Sequence, residues 1–413
     1  MTNQRQNKGL IIFILGLMTA LSPFSIDMYL PAFQNIANDF NTTVAQISLS
    51  LSSYFIGLSF GQLFYGPLLD RYGRKKPLYM GLLIYIISAI FCLNSTTAEF
   101  LIAWRFAQAI GGCAAGVASM SMVRDLFTTK ESAKVFSWLI LILGISPLLA
   151  PTVGGYLTAA FGWHAVFLVL AMIAGLLFII VKFKLPETRQ PDPSVLLQAG
   201  PIFKNYAEII AHPEFYTYAF SSSVSFSGLF VYLAGSPIIF MQTFNVSPQV
   251  YGWIFAIVAA GMIISSQFNS FLLKKFSNEQ LLMGALSLQV LVAFVFLGGN
   301  YLGWYGLIGT VFMLFLFMAC FGLTSPNGGA LALAPFSKNA GSASALIGFL
   351  QMGTGALASA SIGLFNIKNM LPVIAAMTIT SSLAITILVF GKRRIKSRAQ
   401  SSPVPLDTNL PAN

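Results

Sequence analysis

The sequence predicts an all-α polytopic membrane protein, with twelve transmembrane helices in two pseudo-symmetric six-helix bundles. Three observations predict it. The chain has 413 residues, of which 56% are hydrophobic and only 8% charged, with a mean hydropathy of +0.77. A soluble domain carries about 25% charged residues, so this chain lacks the polar side chains to cover its own surface in water. Its apolar runs reach the roughly 20 residues that a helix needs to cross a hydrocarbon core. They are also continuous, without the period-two alternation of β-barrel strands. Finally, the basic residues collect at the ends of alternate runs.

The spans are read at 9–32, 44–67, 77–94, 99–123, 133–159, 163–183, 213–241, 249–273, 279–299, 302–326, 338–364 and 369–391. The first is too long for a cleavable signal and lacks a small-residue cleavage site. Of the 23 lysines and arginines, all but Arg105 and Lys368 fall on one side of this arrangement. The positive-inside rule then puts both termini and the central loop in the cytoplasm of a bacterial inner membrane. The formal charge of +11 is therefore topological. It calls for anionic lipid headgroups as neighbours and for no nucleic acid.

The organisation follows from breaks in the apolar pattern. Residues 1–183 form an N-terminal six-helix bundle and 213–391 a C-terminal one. The stretch "KLPETRQPDPSVLLQAGPIFKNYAEIIAH", 184–212, is a cytoplasmic linker whose second part, about 194–210, is amphipathic enough to lie on a membrane surface. Residues 392–413 form a basic, then Ser/Pro-rich cytoplasmic tail that reads as disordered. The halves echo each other: "GPLLDRYGRKKP" ends span 2 where "SFLLKKFSNEQ" ends span 8. A six-span repeat with its site between the halves is a common secondary-transporter design.

Enzyme chemistry finds little support. Cys92, Cys113 and Cys320 lie in spans without metal spacing, and the two histidines, His164 and His212, lie near span ends. No metalloprotease motif is present. No cofactor is expected.

Three groups of residues carry the functional reading. Asp27, in "LSPFSIDMYLPAF", is the one acid well inside a span, and Arg105 in span 4 is the one base. A charge in a span costs at least about 2.5–3.5 kcal/mol, which marks function unless the group reaches the outer surface. A carboxyl that alternates between wet and dry surroundings changes its proton affinity, which makes it a proton carrier. Asp27 and Arg105 read as partners, directly or through water and Gln108. On the turn after span 2, "GPLLDRYGRKK" offers Gly66 for close backbone approach and Gly73 for a positive φ. Asp70, Arg71 and Arg74 supply ion-pairing groups beside them. Arg124 and Asp125, after span 4, can join them in a cytoplasmic gate or form a plain surface pair. In span 5, "SPLLAPTVGG" combines small residues for close helix contact with Pro147 and Pro151, each of which removes a backbone donor.

These motifs resemble the major facilitator superfamily across essentially all twelve spans. "RFAQAIGGCAAG" is similar to the superfamily's intramembrane arginine motif. "SPLLAPTVGG" is similar to the antiporter motif of twelve-span drug:proton antiporters: Pro147, Pro151, Gly154 and Gly155 match, while Ser146 and Ala150 stand where many members have glycine. "IDMYLPAF" and "VRDLF" look most like the Bcr/CflA drug-resistance transporters. The resemblance implies the major facilitator fold and a monomeric proton-coupled antiporter that exports drugs or toxic small molecules. It also implies that Asp27 carries the proton and that Arg105 tunes it. Some relatives have a second acid where this chain has Thr19, so two-proton coupling is not expected. Tyr54, Gln108 and Gln351 are the expected substrate contacts. The alternatives are a dedicated metabolite or siderophore transporter or a facilitator of the same fold and, further off, an intramembrane enzyme or receptor.

Overall fold

A computed structural model describes residues 8–192, 199–336, 340–367 and 369–401. Lys338, Lys368 and the tail beyond 401 lie outside the described residues, as does 193–198 of the linker. Among the described residues the regular elements are all helical, and twelve spans are long and apolar enough to cross a membrane. The first is composite: α1 (Lys8–Asp27), a 3-10 turn (Leu30–Ala32) and α2 (Phe33–Asp39). α3 (Val44–Tyr72), α4 (Lys75–Leu93), α5 (Ala98–Leu126), α6 (Thr129–Phe161) and α7 (His164–Lys184) complete the first six spans. A short α8 (Ala199–Ile210) precedes α9 (Pro213–Pro237), which runs on through a π-turn, Ile238–Thr243. The last five are α10 (Pro248–Leu272), α11 (Asn278–Tyr301), α12 (Leu307–Leu333), α13 (Ala340–Leu364) and α14 (Met370–Ser401).

Local chemistry explains the starts and stops. Thr43, Thr97, Thr128, Ser247 and Ser277 each accept a backbone N–H three residues on, which satisfies an orphan donor at the N-terminus of α3, α5, α6, α10 or α11. Thr128 with Glu131 and Ser277 with Gln280 close full capping boxes. Gly73 and Gly162 follow α3 and α6 with φ of +82° and +79°, where a side chain would be strained.

With twelve spans, the two ends of the chain emerge on the same face, here termed the terminal face. Within the first six spans α1 packs on α5, α6 and α7; within the last six α9 packs on α12, α13 and α14. The halves meet along two seams, α3 with α13 and α6 with α10. The repeat relates one seam to the other: each joins the second span of one half (α3 or α10) to the fifth span of the other (α13 or α6).

The apolar core shows how the halves are disposed. Side chains of the last six spans that are far from the terminal face, such as Phe240, Tyr251 and Phe317, belong to the same buried cluster as the core of the first six. Those near the terminal face, such as Phe215, Leu286 and Leu388, form a second cluster of their own. The halves are thus fused on the far side. Cross-half hydrogen bonds reinforce that side: Thr43 Oγ1 to Asn366 Oδ1 at 2.9 Å, Gln242 Nε2 to Gln34 Oε1 at 3.2 Å, and Ser52 with Ser359 at 2.8 Å.

Two expectations change here. The basic stretch after 391 is helical to Ser401, as a continuation of α14, because Arg, Lys, Ala and Gln favour a helix that is already nucleated. The amphipathic linker helix turns its Tyr206 and Ile209 into the second core cluster, so its apolar face packs on the last six spans.

Candidate functional site

The first span breaks at Asp27 for a covalent reason. In an unbroken α-helix the carbonyl of Asp27 would accept from the N–H of residue 31, but residue 31 is proline and has none. The chain therefore leaves the helix at Asp27, passes through the 3-10 turn and resumes as α2. The span extends to Asp39, seven residues beyond the sequence reading, so Asp27 lies well short of its outer end. The residue is only 5% exposed. The reading of Asp27 as a solvated group at the outer surface therefore fails. Among the described residues no donor lies within hydrogen-bonding distance of its carboxylate.

Arg105 is fully buried, but it is not joined to Asp27. Its guanidinium donates to Gln108 Oε1 at 2.6 Å and to the Ser25 carbonyl at 2.9 Å. Its planar faces lie against the rings of Tyr54 (4.1 Å), Tyr29 (4.8 Å) and Phe167 (5.9 Å). Cation–π contacts of this kind compensate a buried guanidinium without a carboxylate. Among the described residues no direct bond joins the two lone charges, while Gln108 does bond to Arg105. Arg105 faces inward among α1, α3 and α7. The turn that follows Asp27 packs instead against α9 and α10 of the other half.

The turn after span 2 forms a second constellation. Arg74, with its side chain 5% exposed, bonds to Asp125 at 2.7 and 3.2 Å and to Asp70 at 2.7 Å. Burial works against the Arg74 charge, but its hydrogen bonds to Asp125 and Asp70 outweigh this and hold its pKa above the ordinary value. Asp70 also accepts from Arg189 at 2.9 Å, and Asp125 from Thr188 Oγ1 at 2.9 Å. Arg71 lies over the ring of Tyr72. Arg124 is not part of the cluster: its Nε reaches the Met120 carbonyl at 3.4 Å. Gly66 makes no close approach, since a Cβ there would meet nothing within 4 Å.

Sequence reasoning missed the members from the linker. Glu187 accepts the backbone N–H groups of Arg74 (2.8 Å) and Lys75 (3.0 Å), which caps α4. No local pattern marks Glu187, because its partners lie more than a hundred residues away.

In span 5 the prolines do not interrupt α6, which is continuous. The paired glycines divide their work. A Cβ on Gly154 would run into the backbone of Met28, just after Asp27; one on Gly155 would run into the backbone of Pro248 on α10. Gly252 on α10 meets the α6 backbone at Pro151 and Thr152 in return. This motif therefore touches both the break beside Asp27 and the other half. Of the expected substrate contacts, Tyr54 and Gln108 belong to the Arg105 cluster. Gln351 is half-buried on α13 in the other half and lies outside that cluster.

Twelve membrane-crossing helices in two six-span halves, with a buried acid beside the break in the first span, are the architecture of a secondary transporter. Residues 15–359 match the Major Facilitator Superfamily, and the chain belongs to that family. It is 31% identical, over 96% of its length and 100% of the other, to a bicyclomycin resistance protein homolog of Haemophilus influenzae. It is 32% identical to the uncharacterised MFS-type transporter YdgK of Bacillus subtilis, covering 92% and 94% of the two chains. To the multidrug resistance protein MdtL of Shewanella oneidensis it is 28% identical, covering 90% and 93%. Among solved structures it resembles the D-xylose-proton symporter, with a TM-score of 0.73 at 16% identity over 92% and 97% of the chains. A bacterial homolog of the human lysosomal transporter Spinster, inward-facing and occupied, gives 0.68 at 14% identity over 98% and 100%. These two likenesses establish the fold. The family makes the chain a multi-pass transporter of small molecules and not an enzyme, and the relatives bear out the Bcr/CflA resemblance.

Proposed function

We propose that this protein is a proton-coupled antiporter that exports drugs or toxic small molecules across a bacterial inner membrane by alternating access. The observation that carries the proposal is Asp27: an acid 5% exposed, beside the break in span 1, with no donor in reach among the described residues. Such a group is costly when ionised and becomes affordable when it takes a proton. A substrate that displaces the proton, and a proton that displaces the substrate, make a coupled exchanger. The names of the relatives support drugs as cargo.

In this reading the terminal face is cytoplasmic and the chain works as a monomer among membrane lipids. The far-side fusion of the halves is the state that receives cargo from inside. Rocking about the seams between α3 and α13 and between α6 and α10 opens the other side. The cluster of Asp70, Arg74 and Asp125 serves as the cytoplasmic gate, and Arg105 organises the helices around the proton site.

The test is ligand-triggered proton release from purified protein in detergent, wild type beside Asp27→Asn. The panel spans chloramphenicol-like, cationic and sugar or amino-acid compounds. Release by the wild type and none by the variant supports antiport and names the cargo class. Binding without release in either protein overturns it in favour of a facilitator or dedicated metabolite transporter.

A further inference from the structure

An apolar groove runs between α3 and α5. Its volume is about 400 Å³, and Phe60, Phe64, Tyr65, Leu68, Phe106 and Ile110 line it. Clefts of roughly 300–1,000 Å³ are of a size to hold a ligand. Ile56, Phe60 and Phe64 follow one another at four-residue intervals and form an exposed apolar ridge along α3. On a helix that crosses the membrane, such a ridge meets lipid. The groove therefore opens to the bilayer.

A cation stands over the end of the groove nearest the terminal face. α3 and α5 run in the same direction, and their register is fixed where a Cβ on Gly61 would meet Cys113. Eleven residues further along, the two helices reach Tyr72 and Arg124, level with each other. Leu68, in the groove wall, stands about 6 Å short of that level. Arg124 also lies eighteen residues beyond Phe106 on the unbroken α5, which is five full turns and hence the same helix face. It is exposed, and among the described residues its one hydrogen bond is the long one, 3.4 Å, to the Met120 carbonyl. The acids nearby are committed elsewhere: Asp70 to Arg74 and Arg189, and Asp125 to Arg74. An apolar groove at bilayer depth thus ends beneath a guanidinium that no carboxylate among the described residues neutralises.

We infer that this face of the transporter binds an anionic phospholipid, with an acyl chain in the groove and the headgroup phosphate on Arg124. A guanidinium presents forked donors that match phosphate oxygens. Phe60, in the groove wall, also meets Phe349 of α13 edge-on, with ring centroids 6.3 Å apart. The bound lipid therefore sits beside a seam between the halves. This inference does not depend on the reading of Asp27 or on the identity of the cargo.

The test titrates dioleoyl phosphatidylglycerol or dioleoyl phosphatidylcholine into delipidated full-length protein in detergent, and native mass spectrometry counts the lipid bound. Wild type should bind the anionic lipid about fivefold more tightly, the effect of one basic group near an anionic headgroup. Arg124→Gln should remove that preference and leave binding of phosphatidylcholine unchanged. Ile110→Trp, which fills the groove, should weaken both lipids. Arg394→Gln, at an exposed arginine of α14, should alter neither. Equal affinity for the two lipids in wild type overturns the inference, as does a preference that survives Arg124→Gln or is lost equally in Arg394→Gln. Undiminished binding of both lipids by a folded Ile110→Trp protein removes the groove from the site. Displacement of the anionic lipid by inorganic phosphate would make the site one for a free anion and overturn the inference as well.

Discussion

Glu187 holds the backbone of Lys75, and the Lys75 side chain reaches back to the segment just before Glu187. The Glu187 carboxylate accepts the Lys75 backbone N–H at 3.0 Å, while the Lys75 ammonium donates to the Leu185 carbonyl at 2.7 Å. One contact satisfies an orphan donor at the start of α4 and the other an orphan acceptor past the end of α7. The linker therefore leaves the first six spans fastened to the loop that bears the gate residues.

Removing the cap tests that fastening. Glu187→Ala should destabilise the protein by about 1–2 kcal/mol, the upper range for a lost N-cap. It should also speed proteolysis of the linker. Thermal unfolding in detergent and limited digestion provide the measurements, and a protein indistinguishable from wild type in both would contradict the clasp.

Arg74 is the hub of the same cluster. Arg74→Ala leaves Asp70 and Asp125 without their shared cation, at a cost of about 2–3 kcal/mol, somewhat less than a fully buried pair because Asp70 is partly exposed. Adding Asp125→Asn to Arg74→Ala should recover part of that loss. If the two changes simply add, the residues are not coupled. Arg124→Ala, outside the cluster, should be near neutral.

Glycines on the α6–α10 seam should control which face opens. Gly155→Ala forces a Cβ against the Pro248 backbone, and overpacking of this sort costs about 1–3 kcal/mol. The cost falls on the far-closed state, so its population should drop by roughly tenfold or more. Thiol labelling of Thr43→Cys from the far side should rise accordingly. Gly144→Ala is the control, since its Cβ would meet only Ile263 at 3.8 Å, an ordinary contact. Equal labelling in the two backgrounds would remove the seam from the mechanism.

Arg105 should not tolerate lysine. A single ammonium cannot serve both Gln108 Oε1 and the Ser25 carbonyl while lying flat between aromatic rings. One buried acceptor left unpaired costs about 1–3 kcal/mol. Arg105→Lys should therefore lower the unfolding temperature and abolish transport. Retained transport with an intact thermal profile would show that charge alone suffices there.

Much of this architecture is legible in the chain by itself. Twelve apolar runs and one-sided basic residues determine helices and their alternation, because a bilayer leaves a backbone few ways to satisfy its hydrogen bonds. Gly73 announces its turn through the φ that only glycine adopts freely, and Pro31 announces the break at Asp27 through its missing N–H. These are local facts, dictated by covalent geometry and the solvent, and they suffice to single out Asp27, Arg105 and the loop motif. Partnership is not local. The sequence pairs Asp27 with Arg105 because they are the two isolated intramembrane charges, whereas packing turns Arg105 into its own half, onto Gln108 and Ser25, and leaves the Asp27 carboxylate without a donor among the described residues. It offers Arg124 and Gly66 as gate residues, whereas the fold recruits Glu187, Thr188 and Arg189 from a linker more than fifty residues further along. Which half each group faces depends on how whole helices are rotated against one another, and that rotation is set by side-chain packing along the seams.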